Sequence, residues 1–222
     1  MSLLQGASEL NPVGRNHYRE DGYFRLNVKN GVLRSREGTR MLTLPEDLIV
    51  GLHRGLEDET GAAAPIVLYS IGRWWGRQFA RQHEGEIRRF YRRDIGDLPL
   101  AFYLQVLRRV WGLFGWGQLD LSFDLQERGF IEALVDGALY SESIGNIGRT
   151  SDHLVAGVLA SLVSALSGRD LEAVEIACKS QGDPQCRFLI GLSSRTAVIS
   201  NWVTQKRKAD EILESVRDGE LA

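Results

Sequence analysis

Leu171-Glu-Ala-Val-Glu175-Ile-Ala-Cys178-Lys-Ser-Gln-Gly182-Asp183-Pro184-Gln-Cys186-Arg-Phe188-Leu-Ile190 decides how the rest of the chain is read. Two apolar runs flank Gly182-Asp183-Pro184, a turn signal, so the stretch predicts an antiparallel hairpin. Setting Cys178 opposite Cys186 puts Ile176 against Phe188 and Val174 against Ile190, and every pair on that face is apolar. Both thiols then lie side by side on the inner face. They can be plain buried thiols, a disulfide when oxidised, or half of a four-ligand metal site. Glu175, Asp152 and His153 are the residues that could complete a zinc site. Strand alternation, however, turns Glu175 away from Cys178, and a bulge or a strand end is needed to bring them together.

Upstream, a small apolar helix is predicted over about 153–167, capped by Ser151 or Asp152 and ended by Gly168. Apolar residues surround it, which predicts burial on most sides. Trp116–Phe123 and Phe130–Leu139 alternate and read as strands. Residues 85–114 read as helical with a break near Gly96-Asp97-Leu98-Pro99, and Pro65 opens a helix carrying Gly72 and Gly76 four residues apart. Each mid-helix glycine costs about 1 kcal/mol relative to alanine, so close packing against another element is expected there. Leu44-Pro45-Glu46-Asp47 starts an earlier helix with Leu48, Leu52 and Leu56 on one face, stopped by Gly61. Asn30-Gly31 centres a short hairpin over 23–35. The tail from Ser194 to about Arg217 is amphipathic. The predicted fold is α+β, an antiparallel sheet packed with helices. Residues 1–40 form an extension whose first twenty residues are a polar arm, 41–192 the main domain and 193–222 a C-terminal amphipathic helix.

The 222 residues carry 27 Lys and Arg against 29 Asp and Glu, a net charge of −2, so a whole-protein basic field for nucleic acid is excluded. Hydrophobic residues at 43% exclude a disordered chain. Two cysteines cannot make a disulfide framework. No run approaches the roughly 18 apolar residues of a membrane span, and Met1-Ser-Leu-Leu-Gln-Gly-Ala-Ser lacks the pattern of a signal peptide. A soluble cytoplasmic protein is expected, with peripheral membrane contact allowed.

Glu175-x-x-Cys178-(x)7-Cys186-Arg-Phe188 with Gly182-Asp183-Pro184 in its loop resembles the signature of the 4-vinyl reductase domain family. The Asp152-His-Leu-Val-Ala-Gly157 helix and the Leu68-Tyr-Ser-Ile-Gly72-x-x-x-Gly76 helix agree with it, so the resemblance spans roughly 40–191. The family includes the sensing domain of aromatic-responsive transcription activators and a protein of bacteriochlorophyll synthesis. Its fold resembles the subunits of a vesicle-tethering (TRAPP-type) complex and is usually dimeric. The resemblance implies zinc on Glu175, Cys178 and Cys186, with Asp152 standing where the sensors have a third cysteine. A carboxylate in place of a soft thiolate weakens that inference without excluding it.

The resemblance also implies an apolar pocket. Trp74, Trp75 and Trp111 are its expected walls, with Arg73 and Arg77 at its mouth for a carboxylated ligand such as a tetrapyrrole. Nine arginines against four acids lie between residues 71 and 110. The expected function is non-enzymatic binding of a hydrophobic small molecule, such as a chlorophyll-type tetrapyrrole, assisting pigment synthesis or photosystem assembly in photosynthesis. One alternative is a sensor of an aromatic or hydrocarbon ligand acting through a partner protein. Another is a vinyl-group reductase, against which stands the lack of a Gly-x-Gly-x-x-Gly cofactor motif. A homodimer is expected, and nucleic acid is not.

Overall fold

The computed structural model describes residues 16–19 and 22–220. Most of the N-terminal arm read over residues 1–20, and the last two residues of the chain, lie outside them. The hairpin around Asn30-Gly31 is present as β1 (Phe24–Asn27) and β2 (Val32–Ser35), joined by the two-residue strand β3 (Arg40–Met41) into a small antiparallel sheet. Helix α1 (Glu46–Thr60) follows Pro45 and stops at Gly61, whose positive φ lets its N–H reach Glu57 O. Helix α2 runs unbroken from Ala64 to Tyr91, and α3 (Leu100–Leu113) follows the break at Gly96–Pro99.

The main sheet has four antiparallel strands in the order β4 (Gln118–Ser122), β5 (Phe130–Asp136), β7 (Cys186–Gly191), β6 (Glu172–Ala177). Between β5 and β6 the chain forms the short α4 (Leu139–Ile144), inside and beyond the end of the expected strand, and α5 (His153–Ser167). One face of the sheet packs Ala133, Val135, Phe188 and Ile190 against α2, α3 and α5. The other face packs Phe130, Ile176 and Leu189 under α6 (Ser193–Thr204) and α7 (Ala209–Asp218). The tail is therefore two helices and not one. The chain turns at Gln205–Lys208, with Lys206 at positive φ, so that Ile199 and Ile212 both reach the sheet.

The hairpin register departs from expectation. Ala177 pairs with Arg187, which is the frame that places Cys178 beside Cys186. Beyond a bulge at Ile176 the frame shifts by one, and Glu175 pairs with Phe188 and Ala173 with Ile190. Ile176 thus leaves the inner face for the outer cluster, while Glu175 joins the cysteines inside.

Helices α2 and α5 cross with backbone in contact. A Cβ on Gly72 would stand 2.0 Å from Leu154 O, and one on Gly157 would stand 2.2 Å from Tyr69 O. Close packing is what these helix glycines provide. The described part of the extension is pinned to the same helix. Tyr18 Oη donates to Glu86 Oε2 at 2.7 Å and contacts His83 Nδ1 at 2.8 Å, while Gln82 Nε2 donates to Glu86 Oε1 at 2.8 Å. Burial alone would raise the Glu86 carboxyl. Hydrogen bonds from His17, Gln82 and Tyr18 outweigh it and hold the group below its ordinary value.

Two outcomes follow from this packing. Gly72→Ala should lower unfolding free energy by about 3 kcal/mol in a denaturant titration, because backbone and not a side-chain tip meets the new methyl. Gly51→Ala on α1, with nothing within 4 Å, should instead gain about 1 kcal/mol. Burial pushes His83 from 6.5 down to about 4. The unfolded chain therefore binds this proton more readily. Stability from His83 is complete above pH 6.5 and is lost as pH falls toward 4, in all by about 3 kcal/mol. Unfolding measured across that range should show this slope, and His83→Phe should lack its share.

Candidate functional site

The bulge, the hairpin turn and the first residue before α5 bring four acidic groups to one point. Ligand atoms of Asp152, Glu175, Cys178 and Cys186 all lie within 4.8 Å of one another, and all four residues are buried. The two sulfurs are 3.8 Å apart, and Asp152 Oδ2 is 3.2 Å from Cys186 Sγ and 3.8 Å from Cys178 Sγ. Zn–S bonds of about 2.3 Å at tetrahedral angles require sulfurs about 3.8 Å apart. Asp152 Oδ1 and Glu175 Oε1 have no hydrogen-bond partner among the described residues. Orphaned buried carboxylate oxygens are costly, and a cation between them removes the cost. The donor set fits a zinc ion held by four protein ligands.

The surroundings hold these groups in place. Glu175 Oε2 accepts the Asp152 N–H at 3.0 Å, and Asp183 Oδ2 in the turn accepts the Cys178 N–H at 2.9 Å. Ser141 Oγ lies 3.2 Å from Cys186 Sγ and Ser180 Oγ lies 3.0 Å from Cys178 Sγ. Asp152 makes no side-chain cap for α5, contrary to one expectation, because its carboxylate is turned to the thiols. Burial, then the Cys178 thiolate, raises Asp152 to about 6, and burial with the same neighbours raises Glu175 well above its ordinary value. The Cys186 S–H, ahead of other hydrogen bonds, draws Cys178 down, and Cys186 is correspondingly pushed up. One proton-sharing thiol pair beside two reluctant carboxyls is what an excess of acids without a cation produces.

Asp152 also lines a cavity of about 570 Å³ between α1, α2 and the start of α5. Trp74, Trp75, Phe79, Phe114 and Trp116 form one wall, and Leu42, Leu44, His53 and Tyr140 belong to the other side. Trp75 stacks between Phe79 and Trp116, with ring centroids 5.1 and 4.6 Å away. Trp74 is 60% exposed. Trp111 is not a wall residue. It is buried behind, where its Nε1 donates to Trp116 O at 2.8 Å and its ring meets Trp116 edge-on.

The expected arginine mouth is absent from the lining. Arg73 donates to Leu171 O and to Asp170 Oδ1 at 2.6 and 2.7 Å, and exposed Arg77 is not a lining residue. Helix geometry explains this, since Arg73 and Trp75 differ by about 200° around α2. Arg40 is the arginine that borders the cavity. Sequence reasoning missed His53 and Tyr140, whose rings stack at 3.6 Å, because neither belongs to a motif.

Residues 134–192 match the model of the vinyl-4-reductase domain family, so the resemblance carried by the cysteine hairpin holds. The matched segment contains all four residues of the acidic cluster and stops short of α2. An uncharacterized protein of Methanocaldococcus jannaschii, MJ0150, is 27% identical over 135 residues, 61% of this chain and 69% of that one. The phenol-responsive sensory domain of the transcription activator PoxR, solved with phenol, shares the fold. It is 17% identical with a TM-score of 0.61, over 86% of this chain and 92% of that one. A trafficking protein particle complex subunit 3 from Naegleria fowleri, bound to palmitic acid, is 12% identical with a TM-score of 0.48, over 67% and 95%. No described helix is long and apolar enough to cross a membrane.

Proposed function

We propose that this chain is a non-enzymatic binding protein that takes a planar, hydrophobic small molecule in the cavity walled by Trp74, Trp75, Phe79 and Trp116. The observation that carries this reading is the ordered aromatic stack against an apolar void of about 570 Å³, within the size range of small-molecule sites. The fold shared with a sensory domain that was solved with phenol supports an aromatic ligand and a sensing role exercised through a partner protein. A larger ring such as a chlorophyll-type tetrapyrrole, with a role in pigment synthesis, is the second reading. The cavity favours it by its border of exposed Leu42, Leu44 and Trp74. Arg73 and Arg77 take no part in either.

Zinc on Asp152, Glu175, Cys178 and Cys186 is the cofactor in this reading, and its role is structural. Four protein ligands leave no open position for chemistry. The ion fastens the hairpin turn to the start of α5 and so sets one wall of the cavity. The apolar face of α1, with Leu48 47% and Leu52 58% exposed, is the surface that a homodimer would cover.

Elemental analysis of protein purified without chelator should find close to one zinc per chain, and Cys178→Ser should lose both the metal and several degrees of Tm. Metal-free protein with an unchanged melting curve would leave plain buried thiols. Tryptophan quenching by 1-naphthol and by protoporphyrin should be saturable, and Trp75→Ala should weaken the true ligand class at least about tenfold. Arg73→Gln should leave free acid and methyl ester equally affected. Failure of both probes to bind would sink the ligand reading.

A further inference from the structure

A second void lies under the connection between α2 and α3, and it shares no lining residue with the aromatic cavity. It has two lobes of about 200 and 350 Å³, which have Ile95, Gly96, Tyr103 and Leu166 in common. The larger lobe is apolar, walled by residues such as Leu104, Leu121, Phe123 and Val163. The smaller lobe contains His83 and Tyr103, which are 2% and 3% exposed. His83 Nε2 and Tyr103 Oη are both buried, and neither has a hydrogen-bond partner among the described residues.

The chemistry of these two atoms is fixed by their neighbours. Tyr18 Oη has one proton, and it goes to Glu86 Oε2. Its 2.8 Å contact with His83 Nδ1 is then satisfied by a proton on Nδ1, with Tyr18 Oη accepting. An uncharged imidazole protonated at Nδ1 has a bare Nε2, which can only accept. Burial keeps this ring uncharged and keeps the Tyr103 phenol protonated. The polar end of the void therefore offers one obligatory acceptor beside one hydroxyl. A group that fits must both donate and accept. An ionised carboxylate has no proton to give Nε2, and an ether or a hydrocarbon has none either.

We infer that this two-lobed void is a binding site for an uncharged apolar molecule carrying a hydroxyl group. The ligand hydroxyl donates to His83 Nε2 and accepts from Tyr103 Oη, and the apolar body fills the lobe between α3, α5 and the sheet. The inference is independent of the aromatic cavity, and it gives the extension a part in recognition. Tyr18 acts as a positioning residue that sets the His83 tautomer.

The test uses 1-octanol against 1-methoxyheptane, which has the same number of heavy atoms and no hydroxyl proton, with binding followed calorimetrically on the full chain. Octanol should bind about tenfold tighter than the ether. His83→Phe and Tyr103→Phe should each collapse that preference, while Trp75→Ala should leave it intact. In unsubstituted protein the His83 Nε2 nitrogen resonance should move upfield on adding octanol, a readout that needs no variant to fold. Equal binding of alcohol and ether overturns the proposal, as does a preference that survives both substitutions or disappears with Trp75→Ala. Absence of octanol binding up to its solubility overturns it too, and leaves an ordered water as the partner of the two atoms.

Discussion

Backbone contact between α2 and α5 is the constraint on which everything else rests. Gly72 and Gly157 let the two helices approach until a methyl group on either would overlap the other's carbonyl oxygen. That distance places Asp152, at the start of α5, next to the aromatic side of α2. It also lets Ser161 Oγ donate to Arg73 O at 2.9 Å, a backbone carbonyl that a wider crossing would leave out of reach. Tyr69, one turn before Arg73, donates to Glu172 and accepts the Ala173 N–H, which ties α2 to the edge strand β6. Arg73 is recruited to the same edge through Leu171 O. The arginine that looked like a ligand-binding residue is thus part of the joint between helix and sheet.

The second constraint is the bulge at Ile176. A regular strand would send Glu175 and Cys178 to opposite faces. One extra residue changes this in two ways at once. Ile176 gains a place beside Leu189, Ile199 and Ile212 in the outer cluster, and Glu175 gains a place beside the thiols. Burying a carboxylate there is unfavourable by itself. It is tolerated because the Asp152 N–H binds one oxygen, and a cation-ready geometry faces the other. The apolar gain on one face and the acidic cluster on the other come from a single backbone irregularity.

Much of this was legible in the chain. The limits of α5 follow from its apolar run and Gly168, and the structure ends it where that glycine adopts φ 66°. Gly72 and Gly76 announced a close helix partner, although nothing in α2 itself named α5. The four acidic residues were readable as a group, while their approach depended on a bulge that alternation cannot reveal. The tail read as one helix because its apolar spacing continues through Lys206-Arg207-Lys208. Two short helices satisfy the same spacing and cover more of the sheet. The walls of the void at His83 were out of reach of sequence, since Tyr18, His83 and Tyr103 come from three distant segments with no shared pattern.

Helix α2 connects the two voids through rings spaced four residues apart. Trp75, Phe79 and His83 lie nearly parallel, with centroids 5.1 and 5.8 Å apart and interplanar angles of 11° and 10°. Such spacing puts them on one face of the helix. Trp75 and Phe79 face the aromatic cavity, and His83 faces the void beneath the α2–α3 connection. The last ring is held by Tyr18, which stacks on it at 5.6 Å and bonds to its Nδ1. A wall of this kind has little freedom, because turning any one ring displaces the next in a close-packed interior. The extension, by gripping His83 and Glu86, therefore stiffens a wall that begins at Trp75, although Tyr18 itself lines neither void.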